Sequence, residues 1–308
     1  MFESLHEARA AIEKHVAPEH VDNVLDVLIP AIGLKPGDPD ETVRTGSRLG
    51  GVPDLPVGME WPRPEPPTDP RDIAGRGHSS DEKMMLDHLS RNLPFAFVAQ
   101  IDLAEAHALG EVAADLPDTG RLLFFYDFCV GPWENGARVA AVVWDTSPAE
   151  QTVAATMPDD LADAAAHGTG SFDAEVFHAP ARPVTLFGGV TIPVETSNAP
   201  ETEYVFEPGG LADVTDGVED FWDEDECWDG WRHHQLLGTP VPLQSDPRDY
   251  IAGDGTDEEV SDWRLLFQLD IYNWDGGKYG DGDVYFLIRT ADLAARHFDR
   301  VQAVYQQT

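Results

Sequence analysis

Hydrophobic positions along the chain change their period several times, and each change predicts an element. Leu5, Ala8, Ile12 and Val16 recur at three- and four-residue steps, and Val21, Val24, Leu25 and Leu28 form a second stripe. Residues 1–34 are therefore predicted as two short amphipathic helices, with Pro18 suited to a first helical turn. Phe95–Ile101, Arg121–Phe128 and Arg138–Trp144 are aromatic and β-branched runs bounded by turn formers, and they predict strands. Ahead of them, residues 61–92 form a proline-rich, charged insertion with a helix over Asp81–Leu89, which Ser79 and Glu82 would cap as a box. Pro148–Gly170 reads as a surface excursion with a short helix near Asp159–Ala166. Further short strands are predicted at Val176–Phe177, Val184–Phe187 and Tyr204–Phe206. Residues 211–231 form an acidic, tryptophan-bearing linker or helix. Strands then follow at Leu265–Leu269 and Val284–Ile288, a helix from Thr290 through His297, and a closing strand at Val301–Tyr305.

The order of these elements repeats. Ser47-Arg-Leu-Gly-Gly-Val-Pro-Asp-Leu-Pro56, Pro94 through Gln100-Ile-Asp102, and Gly120-Arg-Leu-Leu-Phe-Phe125 come first. Later come His234-Gln-Leu-Leu-Gly-Thr-Pro240, Arg264 through Gln268-Leu-Asp270, and Gly282-Asp-Val-Tyr-Phe286. A Leu-Gly-x-Pro turn, an apolar run closing on Gln-x-Asp and a glycine-led aromatic run recur in one order, the signature of internal duplication. The expected fold is α+β, with mixed or antiparallel sheets in two related halves and a short N-terminal helical segment. Residues 1–46 would pack on the body. Residues 47–308 would form one domain whose halves, about 47–146 and 233–308, are joined by a variable middle region, 147–232.

These signatures resemble the YwqG-like family of bacterial domains of unknown function. The resemblance runs from Leu49-Gly-Gly-x-Pro-x-Leu-Pro56, Gly58 and Glu60-Trp-Pro62 through Gln100-Ile-Asp102 and Leu116-Pro-x-x-Gly-x-Leu-x-Phe-Phe125. It continues in His234-x-Leu-Leu-Gly-x-Pro240 with Gln244 and Asp246, Leu265 through Asp270, and Gly280-Asp-Gly282 leading into Tyr285-Phe286. The chain departs from the family in reading Tyr279-Gly-Asp281, where Trp-Gly-Asp is usual, and in its longer 63–92 insertion. The resemblance implies a duplicated α+β fold and carries no established activity.

Composition narrows the function classes. The chain has 42% hydrophobic residues and a formal charge of -37, from 57 acidic against 20 basic side chains. That apolar content predicts a packed core, and the charge repels phosphate backbones and anionic lipid, so neither nucleic acid nor a membrane is an expected partner. Salt adaptation would explain the charge, and so would a basic protein partner. Cys129 and Cys227, the only cysteines, exclude a disulfide framework and a four-cysteine zinc site. The N-terminus lacks a signal-peptide core, so a cytoplasmic location is expected.

Candidate chemistry is sparse. Gln100/Asp102 and Gln268/Asp270 each place an amide and a carboxylate on one strand face and, with His234, Gln244, Asp246 and Asp281, could line a groove between the halves. The same side chains could instead satisfy backbone groups beside the Gly-Pro turns. Asp275–Asp283 alternates oxygen donors with glycines, but lacks the spacing of a calcium loop and reads as a hairpin turn. Trp222 and Trp228, ringed by Glu219, Asp220, Asp223, Glu224, Asp225, Glu226 and Asp229, could anchor a basic partner or dock on the core. No nucleophile elbow, phosphate loop or zinc-protease motif occurs, Cys129 reads as a small core residue, and no catalytic residue, metal or cofactor is expected. A binding or protein-interaction module is the expected function, with the small-molecule ligand unspecified. The alternative is a metal-dependent or acid/base hydrolase using His234, Asp246, Asp270 and Asp281.

Overall fold

The computed structural model describes residues 2–15, 17–42, 46–191, 234–252, 260–275 and 282–307. Tyr204–Phe206, the acidic segment 211–231 with Trp222 and Trp228, Cys227 and Asp281 lie outside the described residues.

Twelve strands are described: β1 (Ile29–Pro36), β2 (Arg48–Leu49), β3 (Asp54–Pro56), β4 (Ala96–Asp102), β5 (Arg121–Tyr126), β6 (Ala140–Asp145), β7 (Thr152–Ala154), β8 (Arg182–Thr191), β9 (Gln235–Leu237), β10 (Trp263–Asp270), β11 (Asp283–Arg289) and β12 (Gln302–Gln306). Eight α-helices accompany them among the described residues: α1 (Leu5–His15), α2 (Val21–Asp26), α3 (Pro70–Ala74), α4 (Glu82–Arg91), α5 (Leu103–His107), α6 (Asp159–His167), α7 (Ile271–Asp275) and α8 (Thr290–Ala295). Ten strands form one sheet in the order β12-β11-β10-β9-β1-β8-β2-β4-β5-β6, and β3 pairs with β7 apart from it. Each described pairing is antiparallel. The sheet curls until its ends nearly meet: Gly136, just before β6, exchanges two backbone hydrogen bonds of 2.8 and 3.1 Å with Ala303 of β12. This is a nearly closed barrel, with α+β composition.

The arrangement on either side of the central β1–β8 ladder is alike. Ile32 and Gly33 lie opposite Gly188 and Phe187 at its midpoint, and from there the sheet reads β8-β2-β4-β5-β6 one way and β1-β9-β10-β11-β12 the other. The irregularity in the β4–β5 ladder between Phe97 and Ala99 has its counterpart between Leu265 and Phe267 in β10–β11.

Several elements depart from expectation. Residues 1–34 hold two helices, but Ile29–Pro36 is a strand in the middle of the sheet rather than part of a helical appendage. Its apolar run, Ala31 to Leu34, is buried on both faces, so it shows no alternation and follows the second helix without a break in hydrophobicity. Val176 ends a 3₁₀ turn, Ala174–Val176, rather than starting a strand, and Ala137–Val139 is likewise 3₁₀ ahead of β6. Helix α4 begins after Asp81 with no side-chain cap, so the Ser79 box does not form.

Aromatic rings fill the interior and join the two ends of the sheet. Phe124 of β5 meets Phe267 of β10 and Phe286 of β11 with ring centroids 4.8 and 5.2 Å apart. Trp274 of α7 stacks on Phe128 at 4.6 Å and donates its indole N–H to the Val98 carbonyl of β4 at 3.0 Å. Edge-to-face and offset pairs of this kind add to the burial of each ring. Among the described residues, no helix is long and apolar enough to cross a membrane.

Candidate functional site

Both Gln-x-Asp strand ends are clamps on the turn that precedes them. Gln100 is buried, accepts Asp54 N–H at 3.1 Å, and donates to the Gly46 carbonyl at 3.2 Å and to Asp54 Oδ2 at 3.0 Å. Gln268 is buried, accepts Val241 N–H at 3.0 Å, and donates to the Val241 carbonyl at 3.0 Å and to Asp283 Oδ2 at 2.5 Å. In each case one amide satisfies backbone groups that the turn would otherwise bury unpaired. The aspartates then cap short helices. Asp102 accepts from Ala104 and Glu105 N–H at 2.9 and 3.3 Å, and Asp270 accepts from Asn273 N–H at 3.2 Å and its side-chain amide at 2.6 Å. Their own N–H groups are held by Ser47 Oγ at 2.9 Å and His234 Nδ1 at 3.2 Å, respectively.

The turns themselves share a backbone path. Gly50 and Gly51 adopt φ +60° and +72°, while Leu237 and Gly238 adopt +60° and +73°. A Cβ at Gly50 would lie 2.4 Å from the Pro180 carbonyl oxygen, so that site needs glycine. Leu237 takes the same left-handed conformation with its side chain buried in the core.

Gln100/Asp102 and Gln268/Asp270 do not sit side by side in the sheet, because β2, β8, β1 and β9 lie between β4 and β10. Gln244 is exposed. Its N–H donates to Gln306 Oε1 at 3.2 Å, and its side-chain amide donates to the Gln307 carbonyl at 2.8 Å. Asp246 is buried and held by Arg248, at 3.0 and 3.1 Å from Nε and 2.6 Å from Nη2. Of the acid/base set, the structure brings His234 and Asp270 together, while Asp281 lies outside the described residues.

One chemical difference separates the two strand ends. Asp102 faces Arg121 across β4–β5, whereas Asp270 faces Asp283 across β10–β11. Burial, with Asp270 adding to it, pushes the Asp283 carboxyl well above the usual carboxylate range, even though Gln268 and Tyr285 hydrogen bonds pull the other way. Tyr285, whose hydroxyl donates to the Val241 carbonyl at 2.8 Å, is also raised, by burial first and then by Asp283. Asp283 and Tyr285 were not singled out from the sequence, because the strand register that sets Asp283 against Asp270 is not written in the sequence.

A second constellation, also missed, lies on the other half of the sheet. His88 of α4 and Asp127 and Cys129, just after β5, place one ligating atom each within 4.8 Å of one another. Asp127 Oδ1 accepts Cys129 and Val130 N–H, both at 3.1 Å, which turns the chain back over the cluster. Around these groups is a small cavity of about 10 Å³, partly open to solvent and lined by Leu93, Pro94, Ala96, Tyr126, Phe128, Val176 and Phe177. The Cys129 thiol is pushed well above its usual range by burial and by Asp127. Some forty residues separate His88 from Cys129, and no spacing motif links them.

The chain belongs to the DUF1963 family, described as a domain of unknown function, which matches residues 47–306. No curated protein matches the chain.

Proposed function

We propose that this protein is a non-catalytic binding module made of two copies of one unit, presenting an acidic surface to a cationic partner such as a basic protein. The reading places it with the YwqG-like domains that the sequence resembles. The duplication reading is supported by matching strand order, ladder irregularities, turn dihedrals and Gln-x-Asp clamps on either side of β1–β8. On this reading each unit runs from its leading strand, β1 or β8, through four more strands, about 29–145 and 182–306. The leading strands are exchanged: β1 pairs with β9 of the other unit, and β8 with β2.

The observation carrying the binding role is how the positive charge is distributed. Arg63 is held by Asp160 at 2.7 Å, Arg91 by Asp87 at 3.0 Å and Arg264 by Asp115 at 2.6 Å, while Arg48 and Arg248 are buried against Asp54 and Asp246. With so many guanidinium groups occupied internally, the excess of carboxylates dominates the outer field and would steer a cationic partner. The polar side chains at the strand ends are committed to backbone groups, which suits a scaffold better than a reaction centre. Isolating a basic partner from native lysate and following its association across ionic strength tests the role. Association should slow steeply as salt rises, and a salt-independent rate would contradict it.

A second reading, acid/base hydrolysis, is favoured by the Asp270–Asp283 pair beside His234, because two carboxyls in one site, one of them pushed well above the usual carboxylate range, are the arrangement that divides base and acid roles. Screening phosphate and carboxylic esters tests it. Turnover that is lost in a folded Asp270→Asn variant would establish hydrolysis, and no turnover with any ester would exclude it.

A further inference from the structure

We infer that His88, Asp127 and Cys129 form a binding site for a single zinc-like divalent metal ion, independent of the acidic-surface reading. The expectation of no metal rested on cysteine number and loop spacing, and neither applies to three ligands drawn from separate elements. The donor set is one imidazole nitrogen, one carboxylate oxygen and one thiolate sulfur. Nitrogen with sulfur selects zinc and its neighbours over calcium or magnesium, which prefer oxygen alone. Tetrahedral coordination at ordinary zinc–ligand lengths places ligand atoms roughly 3.3–3.7 Å apart. The cluster, already within 4.8 Å, therefore needs only a small contraction.

The state of His88 points to a missing ligand. Its side chain is 6% exposed and its Nδ1 has no hydrogen-bond partner. Its Nε2 aims at Asp127 Oδ1 across 3.5 Å, beyond ordinary hydrogen-bond length. The ring is nonetheless fixed, edge-on to Phe172 and stacked on Phe177, with centroids 5.1 and 6.4 Å away. A buried imidazole that is positioned but unsatisfied, facing a carboxylate and a thiol, is poorly explained by packing alone. Three protein ligands beside a small, partly open cavity leave the fourth position for a water molecule.

Cobalt(II) and zinc(II) titrations of the purified 308-residue protein test the site. Cobalt should give one equivalent of a thiolate charge-transfer band, displaced by zinc, with about one proton released per ion as the thiol ionises. The band should persist in Cys227→Ser and vanish in Cys129→Ser. In Asp127→Asn, which keeps an oxygen to accept the Cys129 and Val130 N–H groups, metal affinity should fall by more than about 100-fold, since outer-sphere losses alone reach that scale. Unchanged circular dichroism in each variant would show that the loss is of metal and not of fold. The site is refuted by a folded wild-type protein with no cobalt band, by a band that follows Cys227, or by affinity unchanged in Asp127→Asn.

Discussion

Asp270 and Asp283 face each other across the β10–β11 ladder, where the matching strands place Asp102 opposite Arg121. Like charges directly opposite destabilise a sheet, and here burial and Asp270 push the Asp283 carboxyl well above the usual carboxylate range, which favours its neutral form. Between the carboxyl's unfolded pKa and its raised folded value, the native state binds more protons than the unfolded state, so stability falls as pH rises through that window. The contribution is complete below the unfolded value and gone above the folded one. Thermal unfolding across pH should show this loss from mildly acidic pH upward. Asp283→Asn, which stays neutral, should flatten the profile and unfold at higher temperature than the wild type at neutral pH. Equal pH slopes in the two proteins would show that Asp283 is ionised in the fold.

Gln100 and Gln268 each serve two backbone groups of a buried turn. Truncating either strands those groups, at about 1–3 kcal/mol for each one left unsatisfied. Gln100→Ala and Gln268→Ala should therefore each lose roughly 2–6 kcal/mol in denaturant unfolding, with partner association unaltered once the proteins are folded. Losses under about 1 kcal/mol would mean that the turns hold without their clamps.

The proposed strand exchange predicts that the two units depend on each other. A fragment of residues 1–170 would contain β1 but neither β8 nor β9, the two strands that flank it. Neither that fragment nor residues 171–308 should unfold cooperatively alone, whereas the mixture should recover the native near-ultraviolet dichroism. A cooperative transition in either isolated piece would argue against exchange.

The two turn-and-clamp motifs were legible in the sequence because their marks are local. Glycine at a left-handed turn and an amide two residues before an aspartate are needed wherever this clamp is built, and they recur at Gly50/Gln100 and Gly238/Gln268. What was hidden depended on distance. Ile29–Pro36 carries no alternation because both faces are covered, so its place between β9 and β8 could not be read from its pattern. Leu237 holds a left-handed conformation without glycine, since the buried side chain outweighs a backbone cost of about 1–2 kcal/mol. The candidate sites followed the same rule. Asp283 matters only through register with Asp270, and His88 reaches Asp127 and Cys129 only through the docking of α4 beside the end of β5.

The binding role is tested most directly by association kinetics with the isolated basic partner, comparing two sets of charge removals. Asp223→Asn, Glu224→Gln and Asp225→Asn neutralise the acidic tryptophan-bearing stretch. Asp81→Asn, Glu82→Gln and Asp87→Asn remove the same formal charge at α4. A recognition surface predicts that the first set slows association several-fold, that the second slows it far less, and that the gap closes as salt shortens the Debye length below about 10 Å. Equal small effects from both sets, or association that ignores charge and salt altogether, would contradict a module that works through a specific acidic face.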